Sequence, residues 1–178
     1  MDKQFNFIAV SAIIETNVEI GDNTKVWYFS HLMEGSRVGR DCILGERVFL
    51  GRNVILGDNV KIGNGSNLYE GTIIRDKVFI GNNVSFTNVR YPRAWRKANQ
   101  FLNTIVEEGA TIGANAVITA GVRVGKNSTV GDGAIVINDV SDGGMVVSPK
   151  AECICNREEC PECSKRKEKS RKKLFNYE

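Results

Sequence analysis

One imidazole is the most reactive side chain that the chain offers outside its cysteines. His31 is the only histidine in the sequence. An imidazole can take up a proton or contact a polar ligand near neutral pH, so His31 is a candidate catalytic residue, either as a general base or as a substrate contact. The alternative is a surface imidazole, or one that is hydrogen-bonded where two subunits meet.

A basic and aromatic segment is the second candidate for chemistry. Residues 87–105 contain no acidic side chain, but their basic and aromatic residues are Arg90, Arg93, Arg96, Lys97, Tyr91, Trp95 and Phe101. Guanidinium groups bind phosphates and aromatic rings stack on other rings, so this composition favours an anionic ligand with a ring, such as a nucleoside diphosphate. The alternative is a loop that clasps a neighbouring subunit through Trp95 and Phe101.

Four cysteines near the carboxyl end form a compact cluster of possible metal ligands. They are Cys153, Cys155, Cys160 and Cys163. Four thiolates in paired spacing suit a tetrahedral, structural zinc ion. An iron–sulfur site, a zinc ion shared between subunits, or free thiols are the alternatives. The basic run at residues 165–173 is interpreted as a solvated tail, with contact to nucleic acid or an anionic membrane as the alternative.

The elements that position these groups follow from a repeat of six residues. Every sixth residue from Ile8 to Phe86 is large and apolar, fourteen in succession, and six more follow from Val106 to Val136. The residue four places after each of these is small or β-branched in nineteen of the twenty units. Six is neither the period of an α-helix nor that of a strand, so we expect an all-β parallel β-helix with short flat faces and tight corners.

The corners and the interruption of the repeat complete this prediction. Glycine and asparagine in strings such as Gly51-Arg52-Asn53 are expected to supply the positive φ that tight corners need. The repeat stops over residues 87–105, which we therefore interpret as one long loop inserted in the coil, a feature that is usually functional. Cys42 falls in the small-residue column, so we expect it to be buried and inert.

Composition limits the remaining possibilities. The chain has 178 residues, of which 42% are hydrophobic and 25% charged. This size suits one main domain, predicted as residues 1–149 with the basic, Cys-rich tail at 150–178. No apolar run reaches 18 residues and no secretory signal stands at the start, so we expect a cytoplasmic protein with reduced or metal-bound cysteines.

The repeat resembles the hexapeptide-repeat acyltransferase superfamily, whose pattern is [LIV]-G-x-x-[STAV]-x. Within it, two strings are similar to blocks of the nucleotide-sugar N-acetyltransferases: Val26–Leu32 to V-W-H-F-x-H-[IV], and Phe86–Arg93 to F-T-N-x-x-x-P-R. These enzymes acetylate the 3-amino group of UDP-2-acetamido-3-amino-2,3-dideoxy-glucuronate, or of dTDP-linked amino sugars. The resemblance implies a left-handed coil with three units per turn, a homotrimer, and acetyl-CoA as donor.

The resemblance also implies roles for individual residues. Asn88 would hold the sugar amine toward the thioester, with His31 as the second candidate. The substrate contacts would be Asn64, Tyr69, Glu70, Arg90, Tyr91 and Arg93. The coenzyme would lie along the C-terminal coils between two subunits, and its contacts would be Gly113, Ala114, Ala120, Arg123 and Lys126, with backbone amides meeting the pantetheine arm at the first three.

Some positions depart from these patterns, and one class of enzyme is excluded. Tyr28 replaces the first histidine of its block, Gly63-Asn64-Gly65 retains only the middle asparagine of a Q-N-N corner, and the usual V-G-x-P-A-[RK] ending is shifted in residues 147–151. Zinc carbonic anhydrases built on this coil need three histidine ligands, so a single histidine excludes that activity. The alternatives to a UDP-sugar N-acetyltransferase are a dTDP-amino-sugar N-acetyltransferase, a sugar O-acetyltransferase, or a non-catalytic scaffold.

Overall fold

The structure, a computed structural model, describes residues 5–96 and 100–149. Within these residues the chain forms 21 very short strands and no helix. The strands are β1 Phe7–Ile8, β2 Ile13–Ile14, β3 Glu19–Ile20, β4 Lys25–Val26, β5 His31–Leu32, β6 Arg37–Val38, β7 Ile43–Leu44, β8 Phe49–Leu50, β9 Ile55–Leu56, β10 Lys61–Ile62, β11 Asn67–Leu68, β12 Thr72–Ile74, β13 Phe79–Ile80, β14 Ser85–Phe86, β15 Thr104–Val106, β16 Thr111–Ile112, β17 Val117–Ile118, β18 Arg123–Val124, β19 Thr129–Val130, β20 Ile135–Val136 and β21 Met145–Val146.

These strands stack into three parallel sheets that form the sides of a triangular column. Sheet A is β1-β4-β7-β10-β13-β16-β19-β21, sheet B is β2-β5-β8-β11-β14-β17-β20, and sheet C is β3-β6-β9-β12-β15-β18. Each strand pairs with the one three places later in the chain, so outside the inserted loop one coil takes 18 residues, as in the pairing of His31 with Phe49. The left-handed parallel β-helix predicted from the six-residue period is confirmed.

The large apolar residues of the repeat fill the inside of the column. Leu32, Leu44, Leu50 and Phe86 are fully buried. The small residues four places later are buried beside them, because the interior narrows at the corners, and Cys42 is one of these, as expected. Burial also raises the pKa of the Cys42 thiol, which disfavours the reactive thiolate.

The corners use asparagine and glycine for two different reasons. Asn53, Asn59 and Asn83 have φ values of 55°, 58° and 55°, as predicted for the left-handed region. Gly51 and Gly81 do not have positive φ, so that part of the prediction is wrong. A Cβ atom at Gly51 would lie 2.7 Å from the Glu70 nitrogen, and one at Gly81 would lie 2.6 Å from the Ala114 nitrogen. Glycine is needed there because successive coils approach too closely for any side chain.

The inserted loop is two residues shorter than the sequence indicated. Thr104 and Ile105, expected in the loop, belong to β15 and pair with Thr72 and Ile73 of β12. The loop therefore covers residues 87–103, of which 97–99 are not described. It leaves the column after β14 and returns at β15 without interrupting the stacking of the sheets, since β14 still pairs with β17 and β12 with β15.

The chain divides into a unit of residues 1–148 and a second unit of residues 149–178, and the described residues end at Pro149. The four tail cysteines and the basic run, for which the sequence predicts a metal site and a solvated tail, lie outside the described residues. In the part of the chain that the structure describes, no helix has the length and apolarity to cross a bilayer.

Candidate active site

The candidate site lies along one edge of the column, where sheet B turns into sheet C. We call this edge the BC corner; it consists of residues 15–17, 33–35, 51–53, 69–71, 87–88, 119–121 and 137–139. The AB corner follows the strands of sheet A in the same way, and the CA corner follows those of sheet C. Because parallel strands stack in register, residues 18 apart on one corner lie about 4.8 Å apart along the column.

Asn88 lies on the BC corner at the point where the chain leaves the coil for the loop. Its main-chain carbonyl accepts a hydrogen bond from the Leu102 N–H at 2.9 Å, which closes the base of the loop. Its side-chain NH2 donates to the main-chain carbonyl of Glu70 at 3.1 Å, one coil below. Only the NH2 side of an amide can bond to a carbonyl, so this contact fixes the orientation of the Asn88 side chain.

The opposite side of that amide is the reactive feature of the site. The Asn88 Oδ1 has no hydrogen-bond donor among the described residues, and the side chain is half-buried. The amide oxygen is therefore a positioned acceptor that can hold an N–H group of a ligand. Thr87, the preceding residue, is fixed in turn by the Ala120 N–H, which donates to its hydroxyl at 3.0 Å.

A cavity of about 410 Å³ opens beside Asn88, between the start of the loop and the C-terminal coils. Its lining residues are Thr87, Val89, Arg90, Tyr91, Thr119, Ala120, Ile137 and Asn138. Arg90 and Tyr91, predicted as substrate contacts, thus lie next to Ala120, predicted as a coenzyme contact. One side of this cavity is apolar and the other carries a guanidinium, which suits a ligand with an alkyl arm and an anionic group.

The loop presents its basic and aromatic side chains to solvent. Tyr91 is 77% exposed and Trp95 is 84% exposed. Arg93 and Arg96 close a turn through a hydrogen bond from the Arg96 N–H to the Arg93 carbonyl at 3.2 Å. None of the three arginines of the loop has a carboxylate partner among the described residues, so their charge is available to an anionic ligand.

Sequence reasoning missed the partner of His31. The Nε2 of His31 lies 2.7 Å from the Oε1 of Glu15, and the Oε2 of Glu15 accepts a hydrogen bond from the Glu34 N–H at 3.0 Å. The bonds from the Glu34 N–H and from His31 hold the pKa of the Glu15 carboxyl below its usual value, so it is ionised near neutral pH. The signal was available, because residues 16 apart become neighbours on adjacent coils once a coil of 18 residues is assumed.

The two residues assigned to the reacting centre are far apart. His31 pairs with Phe49, Phe49 with Asn67, and Asn67 with Ser85 just before Asn88. Three strand layers separate them, which is about 14 Å along the column. One reacting nitrogen cannot contact both side chains.

The coenzyme residues suggested by the sequence lie on different sides of the column. Gly113 and Ala114 are on the AB corner, Ala120 is on the BC corner, and Lys126 is on the CA corner. The reason is geometric, because successive steps of six residues in the repeat move from one corner to the next. A single protomer does not bring these residues into one pocket.

The donors at these positions already have partners within the fold. The N–H groups of Gly113, Ala114 and Ala120 donate to Val130, Asp132 and Thr87. The Arg123 guanidinium pairs with Asp142 and Glu107 at 3.0 Å each, and these carboxylates raise its pKa above the usual value. Backbone N–H contacts to a pantetheine arm at the three former residues would require these bonds to break.

Asn64 also has a structural role. Its side-chain oxygen accepts from the Glu46 N–H at 2.9 Å, and its own N–H donates to the Asn82 side chain at 2.9 Å. It lines a separate hollow of about 340 Å³ on the AB corner, together with Trp27 and Phe79. Tyr69 and Glu70, in contrast, lie on the BC corner directly below Asn88.

No cluster of metal-ligating side chains occurs within residues 5–96 and 100–149. The predicted zinc ligands are all in the tail and are not tested by this part of the chain.

Comparison with known proteins identifies the class to which this coil and site belong. The chain matches the family described as bacterial transferase hexapeptide (six repeats) over residues 17–52, 53–88 and 103–138. It is 37% identical over 136 residues to the dTDP-3-amino-3,6-dideoxy-alpha-D-galactopyranose 3-N-acetyltransferase of Aneurinibacillus thermoaerophilus, covering 76% of this chain and 70% of that protein. The chain therefore belongs to the hexapeptide-repeat transferase family, a family of acyltransferases, as the resemblance indicated.

Solved structures share the fold at lower sequence identity. AntD, an N-acyltransferase from Bacillus cereus solved with dTDP and coenzyme A, matches with a TM-score of 0.58 and 16% identity over 90% of each chain. PerB from Caulobacter crescentus, solved with CoA and GDP-perosamine, matches with a TM-score of 0.54 and 18% identity, covering 82% of this chain and 55% of that one. The present chain thus spans about half the length of PerB.

Proposed function

We propose that the protein is an acetyl-CoA-dependent N-acetyltransferase that acts on the 3-amino group of a nucleotide-linked amino sugar. The acceptor we favour is of the UDP-2-acetamido-3-amino-2,3-dideoxy-glucuronate type, and the product would enter polysaccharide or glycan synthesis in the cytoplasm. A dTDP-linked 3-amino sugar is the second candidate, favoured by the 37% identical relative that acts on such a sugar.

The observation that carries the proposal is the fixed amide of Asn88. Its NH2 is bonded to the Glu70 carbonyl at 3.1 Å, so its Oδ1 faces the ligand side. A sugar amine that donates one N–H to this oxygen is held with its lone pair free to attack. Positioning of this kind is what an amine needs to react with a thioester bound in the adjacent cavity.

The reaction balances without a strong protein base. The amine nitrogen attacks the thioester carbonyl carbon, a C–N bond forms, and the C–S bond breaks. The departing thiolate of coenzyme A takes up the proton that the nitrogen loses. A sugar amine is only weakly basic, so part of it is neutral at the working pH and the enzyme's main contribution is orientation.

The surroundings of Asn88 divide between donor and acceptor. On its C-terminal side lies the cavity lined by Ala120, Ile137 and other residues, which suits the apolar pantetheine arm. Within the loop, Arg90 and Arg93 suit the diphosphate of the acceptor. On its N-terminal side, Tyr69 and Glu70 suit the sugar and the nucleoside attached to it.

A homotrimer is part of the proposal. The coenzyme residues indicated by the resemblance lie on three corners of one column, so a second protomer would have to complete the coenzyme site. We propose that the groove between two columns holds acetyl-CoA, with Gly113 and Ala114 on one wall and Ala120 on the other. Lys126 and Arg123 would then approach the coenzyme phosphates only at the outer end of the groove.

The experiment that tests the function is release of thiol from acetyl-CoA in the presence of nucleotide sugars. UDP- and dTDP-linked 3-amino sugars should release thiol, and their 3-hydroxy counterparts should not. Release with the 3-hydroxy sugars would favour O-acetylation, and release with none of them would favour a non-catalytic scaffold.

A further inference from the structure

The contact between Glu15 and His31 fixes which nitrogen of the imidazole can meet a ligand. Glu15 is ionised and already accepts the Glu34 N–H on one oxygen, so its other oxygen, 2.7 Å from His31, also accepts. The Nε2 of neutral His31 must therefore carry the proton, and Nδ1 bears the lone pair. Nδ1 has no partner among the described residues, and the side chain is 33% exposed.

This acceptor lies at the wrong height for the reacting amine. It is three strand layers from Asn88, and a threefold axis parallel to the coils would keep each partner's histidine at that same height. Neither its own protomer nor such a partner would bring the imidazole to the amine. A role for His31 must involve another part of the ligand.

The surface between the two residues is aromatic. The His31 and Phe49 rings meet edge to face with centroids 5.7 Å apart, and Phe49 and Tyr69 follow at 5.4 Å. Tyr69 is 43% exposed and lies one coil below Asn88. These rings form a continuous track from Asn88 toward the N-terminal coils, on the side away from the proposed coenzyme cavity.

The charges along this track change from one end to the other. Arg90 and Arg93 lie in the loop at the upper end, whereas the Glu15 carboxylate stands beside His31 at the lower end. Glu34, the other carboxylate nearby, is neutralised by Arg52 at 2.6 Å. A phosphate is therefore favoured at the upper end, and a neutral group that donates a hydrogen bond is favoured at the lower end.

We propose that His31 is a specificity residue that accepts a hydrogen bond from the ring N–H of the nucleobase, with Glu15 as its positioning residue. The inference rests on the proposed function, because a nucleoside diphosphate sugar held by its amine at Asn88 and by its phosphates at the loop extends its base along the track. Uracil, thymine and guanine carry a ring N–H between or beside carbonyls, whereas cytosine and adenine have a bare ring nitrogen at that position. Phe49 and Tyr69 pack against the base or its sugar.

The test is calorimetric binding of UDP, CDP and N3-methyl-UDP to the full chain. The unaltered protein should bind UDP about tenfold more tightly than either of the others, the factor that one hydrogen bond supplies. His31→Ala should bind UDP about tenfold more weakly and lose the preference. Arg37→Ala, an exposed residue at the equivalent strand position on sheet C, is the matched control and should keep it.

Glu15→Gln supplies a second variant with a different expected outcome. The Glu34 N–H would take the amide oxygen, leaving the NH2 against Nε2, so the imidazole proton would move to Nδ1. That imidazole is a donor, and the preference should invert in favour of CDP, a change that a merely structural role for Glu15 would not produce. Circular dichroism verifies that each variant retains the β fold.

The outcomes separate this inference from the proposed function. An unchanged ratio of UDP to CDP affinity in His31→Ala would overturn the inference, even if acetyl transfer to a nucleotide sugar is observed. Absence of nucleoside diphosphate binding in the unaltered protein would overturn it as well. Loss of the UDP preference in His31→Ala supports it, whether or not thiol release identifies the acceptor.

Discussion

The side-chain NH2 of Asn88 donates to the main-chain carbonyl of Glu70 across one strand layer, at 3.1 Å. This bond joins the first residue outside the regular coil to the coil below it. It turns a common corner residue into an oriented acceptor, because the amide oxygen is left facing the ligand side.

Replacement of Asn88 by alanine should lower turnover at least tenfold, because the amine would lose the acceptor that orients it. The measurement is thiol release from acetyl-CoA at saturating nucleotide sugar. Asn59→Gly is the matched control, since Asn59 is an exposed corner residue with φ of 58°, a conformation that glycine adopts readily. Full turnover in Asn88→Ala would remove Asn88 from the mechanism.

Arg90→Ala should raise the KM for the nucleotide sugar about tenfold and leave kcat largely unchanged, because a charged hydrogen bond to a phosphate contributes about 1.5–3 kcal/mol. The Arg75→Ala variant removes an exposed arginine from the CA corner and serves as the control. If both variants show the same KM as the unaltered protein, the loop does not hold the diphosphate.

The contribution of Glu15 to stability should depend on pH. Its pKa is lower in the folded protein than the ordinary 4.5, so the ionised carboxylate stabilises the fold above that pH, and the stabilisation is lost as the pH falls through the folded value. The urea midpoint of the unaltered protein should therefore exceed that of Glu15→Gln by a constant margin above about pH 5 and by a smaller margin below. A margin that grows on acidification would contradict the contacts of Glu15.

The tail cysteines should bind zinc. Metal analysis of the full chain should find stoichiometric zinc, and a chain truncated after Lys150 should contain none, because all four proposed thiolate ligands would be removed. The truncated chain should keep its β spectrum, since the metal would be structural only for the tail. Stoichiometric zinc in the truncated chain would refute the assignment to Cys153, Cys155, Cys160 and Cys163.

The coil could be predicted from the sequence because its period is set by local spacing alone. Leu32 and Leu50 recur on a strict schedule, and the only way to bury such residues is to stack the units that carry them. The reason for Gly51 was misjudged, because a close approach between coils is a tertiary property that φ preferences do not report. The loop was drawn two residues too long because Thr104 and Ile105 precede the first large residue of the resumed repeat.

The candidate site was less accessible to sequence reasoning. Asn88 was found because a short string around it resembles a known block. The Glu15–His31 contact was missed because it links residues on different coils, and it becomes visible only when the number of residues per coil is used to align outward positions. Gly113, Ala120 and Lys126 were grouped by their proximity in sequence, which a triangular coil distributes over three corners.

The most direct test of the proposed function is the rate of thiol release from acetyl-CoA with a UDP- or dTDP-linked 3-amino sugar as acceptor, coupled to mass spectrometry of the sugar. We predict a gain of one acetyl group on the 3-amino nitrogen and one free thiol for each acetylated sugar. Absence of thiol release with every such sugar, or an acetyl group on a hydroxyl oxygen instead of the nitrogen, would contradict the proposed function.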